Sequence, residues 1–181
     1  MRRSLPLLLL LAACATGGNT VQGSDSAPQR QAIFQSEQGM LMTDPARAEA
    51  TEIDAPPAAV WAAVKKVYME LEIPVTVDNL PGHQLGNANF YKTRRLGGEA
   101  MQSLVSCGNG ITGPNAASFR INMSLLTDVN PNGKGGTKLQ TTLIAKGQDV
   151  TGGSTDLIPC APTGRLESML LGKVKMELGK S

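Results

Sequence analysis

Apolar residues recur at helical spacing in two places along this chain, and at every second position through most of the stretch between them. In "DAPPAAVWAAVKKVYMELEI" (54–73), Val60, Trp61, Val64, Val67, Tyr68 and Leu71 fall on one stripe of an α-helix. Asp54 is placed to cap that helix, and Pro56 and Pro57 suit a first turn, whose N–H groups have no intrahelical acceptor. Pro74 ends it. The closing stretch "GRLESMLLGKVKMELG" (164–179) repeats the pattern with Leu166, Met169, Leu170, Val174 and Leu178. Thr163 is placed as its N-cap, and Glu167 adds negative charge to its first turn.

Between the two helices the period falls to two. "IPVTVD" (73–78), "QLGNANFYKTRRL" (84–96) and "AMQSLVSC" (100–107) read as strands, with the Pro-Gly turn "NLPGH" between the first two and Gly97-Gly98 after the second. In "SFRINMSLLTDV" (118–129), Phe119, Ile121, Met123 and Leu125 point one way while Arg120, Asn122 and Ser124 point the other. "NPNGKGG" (130–136) joins this strand to "TKLQTTLIAKG" (137–147), where Leu139, Thr141, Leu143 and Ala145 share a face, so the pair forms a long antiparallel hairpin. "AEATEIDA" (48–55) alternates as a strand before the first helix, "GMLMTD" (39–44) is a candidate short strand, and 148–163 reads as a loop rich in Gly, Asp and Pro.

Amphipathic helices must bury a stripe, and strands of this pattern offer one face to receive it. The predicted class is α+β: a curved antiparallel sheet with an N-terminal and a C-terminal helix packed on one face. Roughly 130 residues suffice for one core. With only six aromatics in the chain, that core is mostly aliphatic and methionine.

The N-terminus carries different information. Arg2 and Arg3 precede an apolar run from Leu5 to Ala13, which is shorter than the roughly 20 residues a spanning helix needs and fits a secretory signal. Leu11-Ala12-Ala13-Cys14 resembles the lipobox of bacterial lipoproteins. That resemblance implies cleavage before Cys14, a diacylglycerol on its thiol and a further acyl chain (palmitate is typical) on the new N-terminus. Several acyl chains anchor a protein stably where one is marginal. In lipoproteins of double-membraned bacteria an Asp after the lipidated Cys favours retention in the inner membrane. Ala15 at that place therefore implies the outer membrane, facing the periplasm. The expected organisation is a signal peptide over 1–13, a flexible tether over 14–46 rich in Gly, Ser, Gln, Asn and Asp, and one α+β domain over 47–181.

Loss of residues 1–13 removes two of the 17 basic residues and leaves a formally neutral mature chain with 15 acidic ones, which argues against a nucleic-acid binder. With Cys14 lipidated, Cys107 and Cys160 remain as an even pair in an oxidising compartment. A disulfide between them is the preferred reading. Two free thiols, a metal pair or a catalytic thiol are the alternatives, and His83, the only histidine, sits in the "NLPGH" turn, which disfavours the last two.

Other constellations read more plainly as structure than as chemistry. "CGNGITGPNA" (107–116) has the glycines for an anion nest but lacks the Lys-Ser/Thr of a phosphate loop. Lys92, Arg94 and Arg95 are candidates for headgroup or acidic-partner contact. Asn87, Asn89, Tyr91, Arg120, Asn122 and Ser124 form a candidate polar face for sugar, or simply the wet side of a one-sided sheet. Asp54, Asp78, Asp128, Asp149 and Asp156 lie at element ends and in turns, where Asp is common for backbone reasons. No catalytic pair, metal set or cofactor motif stands out, and no enzyme is expected.

The order strand, helix, strands, helix, with "IDAPPAAVWAAVKKVYMELEIPVTVDNLPGHQLGN" at its start, resembles the helix-grip arrangement. The opening is similar to the "AP…VW" start of START-like ligand-binding domains. The whole layout resembles BamC-like outer-membrane lipoproteins, which carry two such domains where this chain has room for one, so no functional residue carries across. The resemblance implies a lipid-anchored binding or assembly accessory module that meets the membrane through its lipid and meets envelope proteins. The second expectation is a carrier of a small apolar ligand or lipid, held in a groove between the sheet and the C-terminal helix.

Overall fold

A computed structural model describes residues 35–36, 39–40, 46–152 and 155–179, with 35–36, 39–40 and 46–47 described by their backbone alone. By internal contacts the chain divides into Met1–Arg30 and Gln31–Ser181, and all the described residues belong to the second unit. The predicted signal peptide, the lipidation site Cys14 and most of the tether lie outside the described residues. Of the candidate strand 39–44, Gly39–Met40 pairs with Gln35–Ser36 in a two-residue ribbon, and the remainder lies outside them.

The elements run in the order β1 (Ala46–Arg47), β2 (Thr51–Ile53), α1 (Pro57–Glu70), β3 (Val77–Asn79) and β4 (Gln84–Thr93). They continue with α2 (Met101–Leu104), β5 (Val105–Ser106), β6 (Arg120–Pro131), β7 (Thr137–Gln148), β8 (Leu157–Pro162) and α3 (Arg165–Leu178). All strand pairs are antiparallel. The sheet runs β3-β4-β6-β7-β8-β5 and does not close, and β1 and β2 pair with β7 on the edge it shares with β8. The fold is α+β, with both long helices on one face of the sheet.

The β6–β7 hairpin is the spine of the sheet, paired continuously from Arg120 opposite Gln148 to Pro131 opposite Thr137. Its inward positions Ile121, Met123, Leu125, Val129, Leu139, Leu143 and Ala145 are buried. Against them pack Val60, Trp61, Val64, Val67, Tyr68 and Leu71 from the predicted stripe of α1, and Leu166, Leu170 and Val174 from α3. Each such side chain contributes roughly 1.5–3 kcal/mol relative to exposure. The helices run antiparallel to each other, since Lys66 pairs with Glu177 at 2.6 Å and Glu70 with Lys173 at 3.0 Å. These exposed pairs set register more than stability.

Four local expectations are corrected. Pro56, not Asp54, is the N-cap of α1, and Gly164 in the left-handed region, not Thr163, is that of α3. The Thr163 hydroxyl, one residue further out, donates to the Ser103 carbonyl of α2 (2.7 Å) while its oxygen accepts from Arg165 N–H (3.4 Å). The segment 100–107 is a single helical turn followed by a two-residue strand, because Met101 and Leu104, three apart, both turn into the core. The supposed loop 148–163 contains β8, which supplies the β-ladder that carries Cys160.

Cys107 and Cys160 are joined in a disulfide with Cα atoms 4.2 Å apart. It lies over Gly147 of β7, where an added Cβ would stand 3.2 and 3.3 Å from the two sulfurs and 3.0 Å from the Phe119 ring. Here a strand glycine makes room for the covalent bond beside it.

Candidate functional site

The outer edge of β7 is shared end to end by three short strands: β2 at Thr137–Leu139, β1 at Thr142 and Leu143, and β8 from Ala145 onward. Between β1 and β2 the backbone stays tied down, with Ala48 N–H donating to the Thr141 carbonyl (3.1 Å) and Gln140 Nε2 donating to the Ala48 carbonyl (3.0 Å). The left-handed Gly164 then turns the chain from β8 into α3. A cleft of about 330 Å³ lies where these pieces meet. The sheet lines it with Leu139 and Thr141, the β1–β2 connection with Ala48, Glu49 and Thr51, and α3 with Glu167, Ser168 and Leu171.

Glu167 is the group that sets this cleft apart. Only 6% of it is exposed, and among the described residues its Oε2 has no hydrogen-bond partner. Burial pushes its carboxyl above the usual carboxylate range, while a hydrogen bond from its own backbone N–H pulls the other way. Its place in the first turn of α3 was legible from sequence as added charge. Its burial was not, because it depends on the β1–β2 connection running along the edge of β7 beside it.

A file of buried hydroxyls leads to the same place. The Tyr68 phenol donates to the Leu125 carbonyl (3.2 Å) and lies 3.0 Å from Thr127 Oγ1, which lies 3.2 Å from Thr141 Oγ1 at the cleft. Burial drives the Tyr68 pKa upward, so the phenol keeps its proton and serves as a donor. The Ser168 hydroxyl donates to the Gly164 carbonyl (2.8 Å), which leaves its oxygen lone pairs available to the cleft.

A carboxyl held above its ordinary pKa destabilises the fold when it must ionise. Its stabilising contribution is complete below the unfolded pKa and is lost as pH rises through the folded one. Glu167→Gln is therefore expected to raise the melting temperature at about pH 8, with the gain disappearing by about pH 4. Thermal unfolding across that range checks it, and a gain that is the same at every pH contradicts it.

The other sequence candidates do not converge. A bulge in β4 sets Phe90 opposite Met123 but Asn87 opposite Leu125, so Asn87 turns to the helix face, where it donates to the Pro74 carbonyl (2.6 Å). That splits it from Tyr91, which is exposed on the far face with the Arg120 guanidinium 5.5 Å from its ring. Lys92 pairs with Glu72 at 3.5 Å, while the Arg95 guanidinium donates to the Gly98 carbonyl, so the basic trio is dispersed. The glycine-rich loop is folded on itself, with Asn115 Nδ2 donating to the Cys107 carbonyl (3.1 Å). His83 belongs to the β3–β4 turn, where its carbonyl accepts from Val129 N–H (2.8 Å).

Among the acids, Asp78 pairs with Lys65, Asp128 accepts from Gln84, and Asp149 caps its own turn through Thr151, whose hydroxyl hydrogen bond holds its pKa down. Lys146 is buried on the face away from the helices, and that burial pulls its ammonium pKa down. A more open depression of about 500 Å³ beside the end of α1 is lined by Met69, Ile73, Pro74 and Val75, with Lys65 and Glu72. It holds, among the described residues, no buried side-chain polar atom without a hydrogen-bond partner. Among the described residues, three or more metal-ligating side chains gather nowhere, and no helix is long and apolar enough to cross a membrane. Neither a comparison with models of known protein families nor a search of curated proteins finds a match to this chain.

Proposed function

We propose that this chain is a lipid-anchored protein of the cell envelope that binds and does not catalyse, with the cleft between β7 and α3 as its binding site. The observation that carries the binding reading is the cleft itself. It occupies the groove between sheet and C-terminal helix, has about 330 Å³ of space, and keeps one buried carboxyl oxygen that has no hydrogen-bond partner among the described residues. Small-molecule sites combine such concavity with a few convergent polar groups, at about 300–1,000 Å³. The anchor reading rests on Leu11-Ala12-Ala13-Cys14 at the end of the apolar run, and the Cys107–Cys160 disulfide is consistent with an oxidising compartment.

Leu139 and Leu171 favour the second reading, a carrier of a small apolar molecule. Glu49 and Glu167 in the same lining weigh against a purely hydrocarbon cargo, since a polar group buried beside one loses its water without replacement. The anchor half is tested in the native host by Cys14→Ser. The parent is expected in the membrane fraction, cut before Cys14 and extractable only with detergent. The variant is expected to keep its leader and be held in the inner membrane by it or, if cut by another peptidase, to appear in the soluble periplasmic fraction. Equal membrane association and identical processing of the two contradict it.

A further inference from the structure

We infer that the cleft between β7 and α3 takes a small amphipathic amine, with the ammonium head on Glu167 and the carbon skeleton against Leu139 and Leu171. This rests on the reading of the chain as a binding module and names the ligand class for that site. Among the described residues, the lining carries two carboxyl side chains, Glu49 and Glu167, and no lysine, arginine or histidine. Glu167 is nine-tenths buried with an oxygen left over, and a buried carboxylate is stable only beside a positive partner or several donors. The other polar side chains there, Thr51, Thr141 and Ser168, offer hydroxyl oxygens able to accept the remaining N–H bonds of an ammonium.

The competing ligand classes fit less well. An anion at the start of α3 would meet both carboxyl groups, and three first-turn N–H groups there are already engaged: that of Arg165 by the Thr163 hydroxyl (3.4 Å), that of Glu167 by its own carboxyl and that of Ser168 by the Gly164 carbonyl (3.0 Å). A metal ion would want a third carboxylate, histidine or cysteine, and no such group of three gathers among the described residues. Proton balance follows from the burial of Glu167. In the empty cleft burial shifts its carboxyl toward the acid form, and an arriving ammonium supplies the countercharge. The O–H proton then passes to solvent, leaving a carboxylate–ammonium pair. Amine affinity therefore rises with pH until Glu167 ionises unaided.

The test is an NMR titration of the isotope-labelled full chain with butylamine, butan-1-ol and butyrate, repeated on Glu167→Gln. Gln keeps the size of the side chain and removes a buried ionisable group, so the variant is expected to fold, and its amide spectrum verifies that. Butylamine is expected to shift the amides of 48–51, 141 and 164–171 in about the millimolar range. Its binding should strengthen with pH in the parent, weaken roughly tenfold in Glu167→Gln and lose its pH dependence there. Butanol binding as tightly as the amine, or butyrate binding in its place, overturns the inference while leaving the binding module standing. Failure of all three probes to shift the cleft overturns both.

Discussion

Removing the Cys107–Cys160 disulfide is expected to lower the unfolding free energy by about 4 kcal/mol and the melting temperature by on the order of 10 °C. The two residues are 53 positions apart in sequence, and closing so long a loop removes much of the freedom of the unfolded chain. The loss has an address. β8 meets β7 over only four residue pairs and β5 over two, so the strip they form depends on the covalent bond more than the hairpin does. Pro162 and Gly164, two and four positions after Cys160, line the cleft. In the double variant Cys107→Ser, Cys160→Ser, amide exchange is expected to quicken first in β8 and the start of α3, and the binding site to loosen before the core does. Chemical unfolding and hydrogen exchange check both statements. Equal midpoints with and without reductant contradict the first.

Gly86→Ala is expected to cost about 3 kcal/mol or more, although it adds one carbon. Gly86 holds φ at 147°, a region that side-chain-bearing residues rarely adopt. A Cβ there would lie inside contact distance of the Leu125 carbonyl oxygen, 2.9 Å from the Tyr68 hydroxyl and 3.0 Å from the Leu126 Cα. Two of those three neighbours are backbone of β6, which cannot move without giving up the β6–β7 ladder. The hydroxyl file from Tyr68 to Thr141 would be displaced with them. Tyr68→Phe is the control: it removes the hydroxyl without a clash and should cost only about 1 kcal/mol. A Gly86→Ala variant that unfolds at the parent's denaturant concentration contradicts this account of the strand.

What could be read from sequence was whatever repeats. The stripe of α1, the stripe of α3 and the alternation of β6 and β7 each extend over ten or more residues, and their apolar inward positions are buried or partly buried, although Thr141–Gly147 of β7 are buried on both faces. Short or interrupted patterns were lost. β8 reads as turn because Pro159 and Pro162 stand in it, and both are tolerable near the sheet's margin. α2 is one turn long, too brief for a period to declare itself. The β4 bulge adds one residue, and that single step turned Asn87 inward against the alternation. The cleft was legible only as a groove between sheet and last helix. Its charge came from Glu167, which looked like ordinary first-turn acid until the fold laid Ala48, Glu49 and Thr51 alongside it.

Whether this domain works from a membrane is decided most directly by the mass of its mature N-terminal peptide, taken from the native host. A chain beginning at Cys14 and heavier by a diacylglyceryl group and an amide-linked acyl chain is the expected result. A peptide that still begins at Met1, or an unmodified Cys14, contradicts it.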